Sequence, residues 1–205
     1  MMSSEPLSLL RQVRRDRLID AAEHVFQQNG FRGASMEAIA RVAGVSKVTL
    51  YRYFPDKEAA FVAVAQRLIE RLTTLFDAAL DAEGDVISRV SGALIAKHRA
   101  VFTTVRRFPE AGDLFAAKGR LVDDLFNELE ARMAARIGAV LRTAGIGDAD
   151  DLAHLLCAAA IGVANAADDA RLERDLRMLI SRLLAPDMPR ASPAGDQNRI
   201  VASAP

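Results

Sequence analysis

Between Ser35 and Lys57 the chain reads SMEAIARVAGVSKVTLYRYFPDK, a stretch that gathers cations, hydroxyls and phenols at helical spacing. Such groups donate hydrogen bonds, so the chemistry on offer is recognition of electron-rich acceptors rather than bond-making. Lys47, Val48, Thr49 and Arg52 fall on the outward side of a short helix whose Leu50 points inward, with Ser46 at its N-cap position. Lys and Arg suit the guanine acceptors of a DNA major groove, and a valine can meet a thymine methyl, which makes Lys47, Val48 and Arg52 the candidate base-reading residues. Upstream, Met36, Ile39, Ala40 and Ala43 share one helical face behind a capping Ser35. Gly44 turns the chain without steric cost and Val45 plugs the corner. Two helices crossing over so short a turn make a helix-turn-helix, whose second helix lies in a major groove.

The segments RLIDAAEHVFQQNGF, Ser35–Ala43 and AGVSKVTLYRYFPDKEAAF together resemble the TetR/AcrR family of transcriptional regulators, from about Arg14 to about Leu68. The run V-S-K-x-T-L-Y-x-Y-F-x-x-K-E is the most specific part. The resemblance implies an all-helical dimer with an N-terminal DNA-binding head and a C-terminal ligand-binding body. Carried over position by position, it implies phosphate contacts from Ser35, Thr49, Tyr51, Tyr53 and Lys57, beside the cap Ser46. Hydroxyls and an ammonium next to helix N-termini suit anionic oxygens. Packing of the head onto the next helix is the alternative for Tyr51, Tyr53 and Phe54, and is preferred for Phe54. Val48 stands where the family often has Gly, which bears on base preference. Residues 106–115, RRFPEAGDLF, are similar to the AefR-like C-terminal domains of the same family.

At 205 residues, with 51% hydrophobic and 26% charged residues, the chain has room for a small head and a larger body. Its net charge is zero, but residues 1–57 carry nine Lys/Arg against six Asp/Glu while the remainder is acidic, so one end favours a polyanion. Cys157 is the sole cysteine, which excludes an internal disulfide, fits a reducing compartment and reads as a buried thiol in an Ala-rich run. The N-terminus lacks the order of a signal peptide, and the 16-residue run 152–167 is too short and too weakly apolar to span a bilayer. These features predict a cytoplasmic protein without a membrane partner.

Helical periodicity continues throughout and no strand pattern appears. Expected helices end at Asn29-Gly30, then run over 35–43, 46–53, from Asp56 to about Leu80, and over about 86–106, 109–117, 120–143, 148–166 and 169–185. The predicted architecture is all-α: a three-helix head over residues 1–57 (ordered from about 11), a long fourth helix, a ligand-binding and dimerisation body over 58–186, and a disordered Pro-rich tail over 187–205.

In the body, Phe76, Phe102, Phe108, Phe115 and Phe126 either line an apolar pocket or simply pack the core. His98 shares a stripe with Leu94, Val101, Phe102 and Val105, as a core histidine or as a polar anchor for a ligand. Ala159 and Gly162, with Leu172, Leu176, Leu179 and Leu183 on the last helix, are the expected interface of a four-helix dimer, a geometry the resemblance implies; burial of the leucine stripe within the monomer is the alternative. No cofactor is expected. His154 and Cys157 are at most half a metal site, and no constellation supports an enzyme. The expected function is a homodimeric repressor that binds a palindromic operator on double-stranded DNA and is released by a small apolar or amphipathic effector. The alternative is a dimeric architectural DNA-binding protein without an effector.

Overall fold

The computed structural model describes residues 5–107 and 120–185, and within them every regular element is a helix. They are α1 (Glu5–Gly33), α2 (Met36–Ala43), α3 (Lys47–Tyr51), α4 (Lys57–Leu80), α5 (Val86–Arg107), α6 (Arg120–Thr143), α7 (Ala149–Ala166) and α8 (Asp169–Leu184). The expected helix over 109–117, the tail over 187–205, Phe108 and Phe115 lie outside the described residues.

Local chemistry explains the helix ends. Gly30 has φ 64° and ψ 174°, which a side chain would forbid, so the first helix kinks there. The expected stop is therefore a bend: one more helical turn follows to Gly33. That turn folds Phe31 back against Phe26 and Phe61, with ring centroids 5.9 and 5.0 Å away. Gly44, at φ 66°, closes α2 in the left-handed conformation. Asp56 caps α4 by accepting from the Ala59 amide at 2.7 Å.

Two hydrophobic cores result. The head core gathers Leu18, Phe26, Ile39, Leu50, Phe54 and Phe61, and it takes residues of α4 as far as Ala65, beyond the expected boundary at 57, together with Val122 of α6. The body core holds Leu72, Phe76, Leu94, Met133, Ile137 and Leu156. Helix α4 threads both, and Phe126 packs against both. Arg67 of α4 bridges Asp20 and Glu23 of α1 at 2.5 Å each, while Arg71 reaches Glu23 at 2.9 Å. Burial works against the Glu23 charge, but hydrogen bonds from Arg71 and Arg67 outweigh it and hold the carboxylate below its ordinary pKa. Farther along α4, Arg136 of α6 grips Asp77 and Asp81.

One expectation about α8 is corrected here. Leu172 and Leu176 do not face outward for a partner: both are fully buried in the body core with Ile180 and Leu184. The leucine stripe is absorbed by the protomer's own helices, leaving Leu179 half-buried and Leu183 and Gly162 exposed. Leu176→Ala should accordingly cost about 2–5 kcal/mol of folding stability, the range for truncating a buried leucine. Urea melts at fixed protein concentration measure it, and an unchanged midpoint would return Leu176 to the surface.

Candidate nucleic-acid interface

Helix α3 has five residues, and each end is chemically fixed. The Ser46 hydroxyl oxygen accepts from the Thr49 amide at 3.2 Å and lies 2.9 Å from the Thr49 hydroxyl. Leu50 is fully buried, whereas Val48 is 73% exposed and Tyr51 45% exposed, so one side of the helix is anchored and the opposite side is bare. Arg52 is exposed at the C-cap. Ser35 caps α2 by accepting from the Ala38 amide at 3.2 Å. Tyr53 is half-buried against the head core and Phe54 is buried within it.

Two cations behave in ways that residue type did not disclose. The Lys47 ammonium lies 2.7 Å from the Glu37 carboxylate of α2, with both side chains more than half exposed. That hydrogen bond holds Glu37 below the ordinary carboxylate range. An exposed pair of this kind is weak, so Lys47 can exchange Glu37 for a guanine acceptor at small cost. Lys57 differs from expectation. Its Nζ donates to the carbonyls of Phe31 at 2.8 Å and Ala34 at 3.2 Å, and sits 4.5 Å from the centre of the Phe31 ring. Two of its three protons thus brace the α1–α2 connection, and at most one is left for a phosphate. Backbone carbonyls carry no residue signature, which is why the sequence did not show this bracket.

In the body, His98 is buried and its Nε2 has no hydrogen-bond partner among the described residues. Burial, reinforced by the charge of Lys97, lowers its pKa to about 3, so the ring is neutral. The neighbouring Lys97 side chain is 4% exposed and pairs with Glu130, whose Oε2 is itself buried without a partner among those residues. Neither Lys97 nor Glu130 was expected at this place. Phe76 is fully buried core, while Phe102 and Phe126 are half-buried against it. Cys157 is buried and its thiol is raised to about 11, by burial first and then by Glu130. His154 is exposed and does not join it, and no cluster of three or more His, Cys, Asp or Glu among the described residues could hold a metal. No helix among them is long and apolar enough to cross a membrane.

A bare helix capped by Ser46 and set on an apolar head just after α2 has the geometry of a helix-turn-helix. Residues 18–64 match the family described as bacterial regulatory proteins, tetR family. Over 119 residues the chain is 34% identical to the HTH-type transcriptional regulator RutR of Escherichia coli, covering 56% of this chain and 54% of RutR. It is 39% identical over 88 residues to the transcriptional activator FasR of Mycolicibacterium smegmatis, covering 43% of this chain and 40% of FasR. The matches thus span about half or less of these relatives' length. Among solved structures, Salmonella enterica GusR is 26% identical with a TM-score of 0.59, covering 84% of this chain and 95% of GusR. SmeT, the repressor of a Stenotrophomonas maltophilia efflux pump, shares the fold with a TM-score of 0.65 at 20% identity, covering 86% of this chain and 91% of SmeT. Residues 18–64 thus resemble the tetR-family regulatory proteins, and the rest of the described chain shares the fold of the solved structures.

Lys57→Met should lower folding stability in the absence of DNA by about 1–2 kcal/mol, since a charged donor to two carbonyls is lost. Equal urea midpoints for variant and wild type would make Lys57 a DNA contact alone. His98 yields a pH test. The folded ring resists protonation down to about 3 while the unfolded ring titrates near 6.5, so its contribution is fully present above that value and lost as pH falls toward 3. The slope is about 1.4 kcal/mol per pH unit at full effect. His98→Gln should remove that slope between about pH 6 and about pH 5 in parallel urea melts. Identical slopes in both proteins would mean that His98 is solvated.

Proposed function

We propose that this protein is a homodimeric transcriptional repressor that binds an inverted-repeat operator and leaves it when a small molecule enters the body. The supporting observation is the α3 surface: Val48 stands 73% exposed between Lys47 and Arg52 while Leu50 on the same five residues is fully buried. One bare valine is ordinary on a surface; what supports the reading is its place beside the exposed Lys47 and Arg52, on the side of α3 opposite the anchored Leu50. In the proposed complex Lys47, Val48 and Arg52 meet base edges. Ser35, Ser46, Thr49, Tyr51 and Tyr53 line the phosphates, and Lys57 steadies the turn behind them.

Dimerisation is assigned to the outer face of α7 and α8. Leu155, Ile161, Met178 and Leu183 are exposed there, beside half-buried Ala159 and Leu179 and exposed Gly162. A groove of about 700 Å³ lined by Val163, Ala166, Met178 and Leu179 offers room for a partner helix. The effector is assigned to the body, where His98 Nε2 and Glu130 Oε2 have their hydrogen bonds unmet among the described residues in apolar surroundings. A largely apolar molecule with one polar group would satisfy them. SmeT, which shares the fold, is known in complex with triclosan, in keeping with a small-molecule site. Because α4 belongs to both cores and α6 touches both, a ligand that prefers one arrangement of the body also changes the setting of the heads.

Selection of duplexes from a random pool by the full chain tests this reading. The expected result is an inverted repeat whose half-sites lie a whole number of turns apart, about 10 base pairs each. Lys47→Ala should relax preference at one or two positions, a change of roughly 1–3 kcal/mol on the selected duplex alone. Binding without any enriched sequence would sink the repressor reading and favour an architectural protein.

A further inference from the structure

Ahead of the segment that matches the family, α1 begins with a run that the helix-turn-helix does not use. Arg11, Arg14, Arg15 and Arg17 are all exposed, against Asp16 as the sole acid between them. At 3.6 residues per turn, Leu10, Val13, Arg14 and Arg17 share one side of the helix, with Arg11 and Asp16 on its two flanks. Leu10 and Val13 are 65% and 44% exposed, so this side stands free of the head core.

The same side faces the candidate interface. Leu10, Arg11, Val13, Arg14, Arg17 and Tyr53 line one concavity of about 390 Å³. Tyr53 follows the reading helix directly, and Arg15 lies over the Phe54 ring at 5.9 Å, tying α1 to that segment. In the body several arginines have carboxylate partners: Arg99 with Glu173, Arg136 with Asp77 and Asp81, Arg142 with Asp150, Arg177 with Glu173. Arg11, Arg14 and Arg17 have no carboxylate partner among the described residues. Three unpaired guanidiniums around one phenol form a cationic recess, not a surface laced with salt bridges.

We propose that this recess is a second DNA contact: Arg11, Arg14 and Arg17, with the Tyr53 hydroxyl, clasp the phosphate backbone flanking the groove that α3 enters. The proposal rests on the DNA-binding reading and adds a surface to it. Arg11 and Arg17 lie about 9 Å apart along the helix axis at ~1.5 Å per residue. That distance suits two neighbouring phosphates of one strand, which rise ~3.4 Å along the duplex axis but lie farther apart in space because the strand winds around it. Guanidinium forks suit phosphate oxygens, and Leu10 and Val13 supply an apolar floor for the arginine stems. Such contacts carry no sequence information; they raise affinity on every duplex alike and fix the register of the reading helix.

The experiment compares the full chain with Arg14→Gln/Arg17→Gln by fluorescence anisotropy, on a selected duplex and on a random one, over a salt series. The expected result is a fall in the salt slope of about 0.9 for each lost phosphate contact, two per head, on both duplexes, with their affinity ratio unchanged. Asp16→Asn, a residue that does not line the recess, should leave the slope unaltered, and circular dichroism should show equal helicity throughout. An unchanged slope in the double variant overturns the proposal, as does a loss confined to the selected duplex. If Leu10→Ser instead alters sedimentation, the recess is a contact between copies and the proposal also fails. A wild-type chain that binds no duplex at low salt would refute the regulator reading itself, a different failure from a bound wild type with an indifferent recess.

Discussion

Burial of Leu50 is the constraint on which the reading surface depends. A helix of five residues cannot pay for its own nucleation, since isolated helices shorter than about 12 residues are marginal in water. α3 therefore takes its conformation from its surroundings: the Ser46 cap at one end, and the Leu50 side chain sunk among Ile39, Phe26 and Phe54 in the head core. Because a single side chain fixes rotation about the helix axis, Val48 and Leu50 must face opposite ways, and the bare side of α3 is the direct consequence of the buried one. Glu37 adds a lateral brace to Lys47 that water can replace.

The head in turn is held by α4, which is common property. Its first half closes the head core through Ala60, Phe61 and Val64, and its second half enters the body through Leu72, Phe76 and Leu80. Polar ties lie on both sides of the crossing, Arg67 and Arg71 to α1, then Asp77 and Asp81 to Arg136 on α6. The Arg67–Glu23 pair is the better shielded, with 21% and 15% side-chain exposure, so it sets the angle between α1 and α4 more firmly than the open Arg136–Asp81 pair. The two cores are therefore joined by one continuous helix and not by a loose linker.

Much of this was legible in the chain because it depends on local chemistry. Ser35, Ser46 and Asp56 are caps, Gly44 is a left-handed stop, and the apolar spacing of α4 marks its buried side, each read from residue type and position alone. What escaped was the identity of partners. Periodicity shows that Leu172 and Leu176 are buried, but the same stripe serves a neighbouring helix of the protomer or of a second copy; the structure gives them to the body core. Lys57 looked like a phosphate ligand because its targets, two backbone carbonyls, are invisible to sequence. Lys97 carried no reading at all beside the His98 stripe, yet its long stem takes the ammonium to Glu130.

That last pair bears on why the body is built as it is. Holding a lysine with a side chain only 4% exposed against a carboxylate that is 29% exposed costs desolvation that leucine or methionine would not, unless every remaining polar atom is satisfied. Here Glu130 Oε2, His98 Nε2 and the Ser91 hydroxyl are without partners among the described residues. A core that served stability alone would gain by losing all four side chains. Their presence places unmet hydrogen-bonding capacity inside the half of the molecule that α4 and α6 connect to the head. On the proposed reading, a molecule that supplies the missing partners acts on that connection only by as much as it favours one arrangement of the body over another.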